Sequence, residues 1–196
     1  MIKIVKNILL ESSYDDYDDF ILDDEDYSSN YASHQPQHKS IKKDFKTLDE
    51  KTEYYKQLFK YTNELNEDLD LRGCSISNLG ALKTVYGNVD LSETLIQDLG
   101  KLDYVSGNFF LNNCEFLTSL SKFSSVAGNF FLLNNTSLHK ITYLSYVGGN
   151  LSIRNCPITQ LEDYLHVGGK IQLSPQMAKE IKISENLKSK LIISKH

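Results

Sequence analysis

The chain has 196 residues, 40% of them apolar and 24% charged, with a net charge of −5 and three cysteines. That balance excludes collagen-like, mucin-like and membrane-bundle classes, and no apolar run approaches the roughly 18–20 residues of a bilayer span. Three cysteines are too few, and odd in number, for a disulfide framework, which predicts a reducing, cytoplasmic setting.

The first ten residues are interrupted by Lys3, Lys6 and Asn7 and run directly into acids, with no small-residue cleavage site of a secretory signal. Residues 1–40 carry three lysines against nine acids, a net −6. Glu11 to Tyr31 interleaves seven aspartates, two glutamates and four tyrosines, with only Phe20, Ile21 and Leu22 as a cluster to bury. Such a segment cannot offset its own ordering entropy, so composition predicts a disordered acidic leader over 1–40. It reads either as a solvating tail or as an acidic arm for a basic partner.

Residues 41–66 predict a capping helix. Thr47-Leu48-Asp49-Glu50 has the form of a capping box, with Thr47 as N-cap and Glu50 at the third helical position. Leu48, Tyr55, Leu58, Phe59 and Leu65 then share one face over about 18 residues, with Ile41 and Phe45 extending it upstream.

From residue 67 the chain repeats. Gly-Asn recurs at Gly87-Asn88, Gly107-Asn108, Gly128-Asn129 and Gly149-Asn150, and Gly169-Lys170 closes the series, in steps of 20, 21, 21 and 20. Counting from Asp68 and its equivalents, apolar residues fall at offsets 1 and 3, near 8, and then three apart to 17. The second unit holds Val89, Leu91, Ile96, Leu99, Leu102 and Val105; the fifth holds Leu151, Ile153, Ile158, Leu161, Tyr164 and Val167. Offsets 1 and 3 have the period of a half-buried strand, and the later triplets suit a turn or 3₁₀ return. Twenty residues are too few for a strand and a long helix, so the repeat predicts a solenoid of stacked parallel strands over 67–174. Residues 175–196 form a C-terminal cap, with a short helix at Gln176 to Ile181 and Leu187 and Leu191 to Ile193 over the last rung.

Leu69-Asp70-Leu71-Arg72-Gly73-Cys74-Ser75-Ile76 and Leu151-Ser152-Ile153-Arg154-Asn155-Cys156-Pro157-Ile158 carry the strand-to-turn signature L-x-L-x-x-N/C-x-L. Thr94, Cys114 and Asn135 fill the same slot in the intervening units, so the cysteines read as hydrogen-bonding turn residues, spaced too far apart in sequence for a metal cluster. The chain resembles short-repeat leucine-rich-repeat proteins, and its Val-x-Gly-Asn junctions are similar to repeats of bacterial and bacteriophage proteins and of receptor L domains. That resemblance implies a non-enzymatic binding scaffold, acting in the host cytoplasm where such a chain is phage-encoded.

The neutral repeat region lacks the basic stripe of nucleic-acid binders, and nothing predicts a membrane partner, a metal or another cofactor. There is no P-loop, no H-E-x-x-H and no dinucleotide fingerprint. His34 and His38 sit four apart around Gln-Pro-Gln, and Asp15, Asp16, Asp18 and Asp19 lie in predicted coil where nothing tunes a carboxyl. The Asn column is read as structural, with Gly supplying a permissive φ. Alternation turns offset 2 outward (Asp70, Asp90, Phe110, Phe131, Ser152, Gln172) and offset 4 with it (Arg72, Leu133 and Arg154 among them). Phe110, Phe131 and Leu133, rimmed by Asp70, Arg72, Asp90 and Arg154, are the expected partner-binding surface, with capture or inhibition of a protein as the expected function. A virion-associated structural component and an enzyme with a site assembled across rungs are the competing classes.

Overall fold

The computed structural model describes residues 43–193, and the expectations for the acidic leader, His34, His38 and Ile41 fall outside them. A short helix, α1 (Leu48–Leu58), precedes the repeats. The chain then winds through thirteen short strands. β1 (Glu64–Leu65), β3 (Thr84–Val85), β5 (Tyr104–Val105), β7 (Ser125–Val126), β9 (Tyr146–Val147) and β11 (His166–Val167) form one parallel sheet. β2 (Leu69–Asp70), β4 (Val89–Asp90), β6 (Phe109–Phe110), β8 (Phe130–Phe131), β10 (Leu151–Ser152), β12 (Ile171–Leu173) and β13 (Leu191–Ile193) form the other. The described region is therefore a parallel β-solenoid with coils of about twenty residues.

The second sheet corrects the expected return. Offsets 8 to 17 contain no 3₁₀ turn among the described residues, and their last two positions pair with the same positions of the next coil, as Val85 does with Val105. Extended segments joined by turns keep an apolar side chain every third residue on the core while freeing backbone groups for inter-coil pairing. The core is a column per offset: Val85, Val105, Val126, Val147 and Val167 are fully buried, as are Leu71, Leu91, Leu111, Leu132, Ile153 and Leu173. At mid-length Phe109, Phe123 and Phe130 form one aromatic cluster, with Phe109 and Phe130 stacked at 5.0 Å and 11°.

Coil 5 departs from the expected core. Leu165 is buried at 2% exposure, while Tyr164 stands 53% exposed and donates its hydroxyl proton to the Thr142 carbonyl. Here the return turns at Asp163–Tyr164, four rather than three residues separate its core positions Leu161 and Leu165, and Tyr164 is pushed onto the surface.

The glycine column has a different cause from the one the sequence suggests. Gly87, Gly107, Gly128, Gly149 and Gly169 do not have positive φ. They are glycine because of approach: a Cβ on Gly107 would lie 2.6 Å from the Gly87 carbonyl oxygen and 2.7 Å from Asn88 Oδ1. This closeness lets the next residue form a ladder. Asn108 donates its backbone N–H to Asn88 Oδ1 at 2.9 Å and its amide nitrogen at 3.1 Å, and Asn129 does the same to Asn108. The ladder begins on the Asp68 carboxylate and ends where the Lys170 N–H meets Asn150 Oδ1 at 2.8 Å.

Positive φ occurs instead where the chain leaves the seven-stranded sheet, at Gly73, Glu93, Asn113, Asn134 and Asn155, and in the returns at Gly80, Gly100 and Ser121. Glu93, at φ 62°, is the longest side chain of that column. Asn tolerates this region better than Glu, and Asn134 and Asn155 already link amides down the column at 2.9 and 2.8 Å. Glu93→Asn is expected to add about 1 kcal/mol, raising the thermal midpoint by about 2–4 °C in a calorimetric scan.

The next slot inward holds Cys74, Thr94, Cys114, Asn135 and Cys156, all buried. Cys114 Sγ donates to the Leu91 carbonyl at 3.2 Å, Asn135 Nδ2 to Leu111 at 2.7 Å and Cys156 Sγ to Leu132 at 2.6 Å. Cys114, Asn135 and Cys156 thus satisfy a buried carbonyl of the preceding coil, while Thr94 Oγ1 donates to the Leu91 carbonyl of its own coil at 2.7 Å. The three thiols are free, and burial pushes Cys156 up to about 11 and Cys114 upward as well. Titration with a thiol reagent should be slow in the native protein and rapid in denaturant; fast native labelling of all three would contradict this placement.

Helix α1 spans 11 residues, shorter than the 18 the pattern suggests. Leu65 belongs to the first strand instead, where it pairs with Val85. Thr47 Oγ1 accepts the Glu50 N–H at 3.1 Å, while the Glu50 carboxylate accepts the N–H of Lys46, one residue before the cap. Phe59 and Thr52 are buried against the first coil, and Thr52 Oγ1 accepts the Ser75 N–H at 3.2 Å. Leu48 is 53% exposed, contrary to its place in the predicted apolar face. Burial, and secondarily the Glu67 carboxylate, pushes the Tyr55 hydroxyl up to about 12. At the other end, α2 (Met177–Glu180) and α3 (Glu185–Lys188) lead into β13, which adds a strand beside β12 and leaves Ile192 and Ile193 exposed.

Candidate interaction surface

The outward side chains of the longer sheet form two columns set by register. Asp70 pairs with Asp90, Asp90 with Phe110, Phe110 with Phe131, Phe131 with Ser152, Ser152 with Gln172 and Gln172 with Ile192. In-register strands about 4.8 Å apart bring like positions into contact. Phe110 and Phe131 are half-buried, and their rings lie 4.9 Å apart at 6°, stacked. Leu133 is half-buried in the neighbouring column, its N–H held by Asn112 Oδ1 at 3.0 Å.

The charged rim is internally paired at one end. Arg72 reaches across one rung to Asp90, with Nε at 3.0 Å and Nη2 at 2.5 Å from the same oxygen. Lys51 of α1 lies 3.9 Å from Asp70. Partial burial raises the Asp90 carboxyl, but the hydrogen bonds from Ser92 and Arg72 outweigh it and hold the group below its usual range. A carboxyl depressed on folding stabilises above its unfolded pKa and loses that contribution as pH falls through the folded one. Acid unfolding curves should therefore show stability falling below about pH 4, and Asp90→Asn should flatten part of that fall. At the other end Arg154 is half-buried and Lys170 exposed. Ser152, between Phe131 and Gln172, is 1% exposed, and its Oγ has no hydrogen-bond partner among the described residues.

The other sheet carries a surface that sequence reasoning missed. Its outward column runs Glu64, Thr84, Tyr104, Ser125, Tyr146 and His166, with the Tyr146 and His166 rings stacked at 5.5 Å. Each of these residues directly precedes the buried Leu65 or a column valine, and alternation turns them away from the core once the pairs are known to be strands. A cleft of about 510 Å³ lies between α1 and the first return, lined by polar residues such as Lys56, Gln57, Ser77 and Asn78. Among the described residues, no cluster of three His, Cys, Asp or Glu is placed to hold a metal ion. No helix among them is long and apolar enough to cross a membrane. No family model, curated protein or solved structure matches the chain.

Proposed function

We propose that the chain is a non-enzymatic protein-binding module of the leucine-rich-repeat kind, which captures a partner on the longer sheet. The stacked Phe110–Phe131 pair supports this reading most directly. Two large apolar rings held half-exposed by rigid strands offer a partner contact area at little ordering cost. The Cys/Thr/Asn slot and its carbonyl bonds support the repeat type, and α1 serves as the end cap, with Phe59 and Thr52 packed on the first coil.

Affinity capture with the intact chain and with Phe110→Ser/Phe131→Ser tests the reading. A partner retained by the former and lost from the latter, with both variants folded by circular dichroism, is the expected result. A partner held equally by both would remove the proposed surface.

A further inference from the structure

The longer sheet presents unlike charge at its two ends. Its first two coils present Asp68, Asp70, Asp90 and Glu93, of which Asp90 pairs with Arg72 and Asp70 lies near Lys51. Asp68 anchors the amide ladder through Oδ1, which leaves Oδ2 without a hydrogen bond among the described residues. In the fifth and sixth coils the outward positions of this sheet hold no acid. Lys170, in the sixth, is exposed and forms no ion pair among the described residues. The stacked Phe110–Phe131 pair occupies the third and fourth coils, midway between Asp68 and Lys170.

That placement makes the face complementary to itself. A twofold axis running along the strands, between Phe110 and Phe131, reverses the order of the coils and keeps each position along the strand. Coil one then faces coil six, two faces five, and three faces four. Phe110 meets Phe131 of the second copy, so the two stacked pairs join into one four-ring cluster on the axis. Asp68 falls opposite Lys170 of the second copy, Asp70 opposite its Gln172, and no acid opposes an acid. Sheets packed face to face lie about 10 Å apart, a gap that an aspartate and a lysine side chain span together. A twofold along the solenoid instead keeps the coil order. It would set Asp70 against Asp70 and Asp90 against Asp90, which like-charge repulsion disfavours.

Resting on the reading of this face as a protein-binding surface, we propose that its partner is a second copy of the chain, packed sheet on sheet with the coils in reverse order. The matched area covers six strands, β2 to β12, and roughly 25 by 15 Å, well under the roughly 800 Å² per partner of a standard interface. The pair is therefore a weak one, exchanging between monomer and dimer in the micromolar-to-millimolar range.

Sedimentation equilibrium of the full chain over that range tests this. Dimer should form with rising concentration, and its affinity should fall at least tenfold in Phe110→Ser/Phe131→Ser and about tenfold in Lys170→Asp. Adding Asp68→Lys to Lys170→Asp should restore it, because the exchanged charges again oppose each other across the axis. Asp68→Asn keeps the ladder's acceptor oxygen; in the Lys170→Asp background it should recover part of the loss, and it serves where circular dichroism shows Asp68→Lys unfolded. A dimer indifferent to Phe110→Ser/Phe131→Ser, or one that neither second-site change recovers, would overturn the proposal. So would a chain that stays monomeric throughout; a different protein captured through the Phe pair would then still uphold the face as a binding surface.

Discussion

Phe130→Ala should lower the unfolding free energy by about 3–5 kcal/mol, and Phe109→Ala by a similar amount. Both side chains are fully buried, stacked on each other and packed edge-on against Phe123. Removing either ring leaves a cavity at mid-solenoid, where the coils on both sides are fixed by their own hydrogen-bond ladders and relax little. The residues one position later should behave differently. Phe110→Ser/Phe131→Ser removes a surface stack and some strand preference, together about 1–2 kcal/mol. Urea denaturation followed by circular dichroism separates the two pairs. A double variant that unfolds as readily as Phe130→Ala would mean that the strand register is wrong.

The second large effect comes from adding one carbon. In Gly128→Ala the new Cβ would lie 2.6 Å from the Gly107 carbonyl oxygen and 2.9 Å from Asn108 Oδ1. Neither neighbour is a flexible side-chain end, because the carbonyl is backbone and the amide is held by two bonds from Asn129. The coils must separate locally, at an expected cost of about 3 kcal/mol. Ala127→Gly, one residue away at an exposed site, should cost about 1 kcal/mol or less. If Gly128→Ala were as mild as Ala127→Gly, close approach would not be what keeps glycine in that column. Amide exchange should locate the damage at residues 108 and 129.

The coil period and the pairing of Phe110 with Phe131 were legible because both are counting problems. A fixed spacing of Gly-Asn sets the register, and strand alternation then decides which side each residue faces. The cause of the Gly-Asn recurrence was not legible. A glycine chosen for left-handed φ and one chosen for close approach look the same in a sequence, and only the stacked neighbour at Gly87 distinguishes them. The second sheet was hidden for a related reason. Two residues such as Tyr104–Val105 form a strand only through pairing with other coils, and nothing local marks them as extended. At Tyr164 and Leu165 either residue could fill the core slot by hydrophobicity, and a turn one residue later decided for Leu165. The outer rim was read as four charges available to a partner, but Arg72 and Asp90 are spent on each other and Asp70 lies 3.9 Å from Lys51. Pairing across a rung depends on rotamers that spacing does not determine.

The amide ladder has a direction, and its two ends are chemically unlike its middle. An Asn inside it both receives and passes on a hydrogen bond, so it can be copied without limit. Asp68 can only receive, and Lys170 contributes its backbone N–H but has no amide oxygen to offer a further coil. A duplication of one whole interior coil, Asn to Asn, would therefore leave every rung matched, whereas a gain or loss of ten residues would break the row. Changes in the length of such a chain are quantised, and the residues at 68 and 170 act as its terminators.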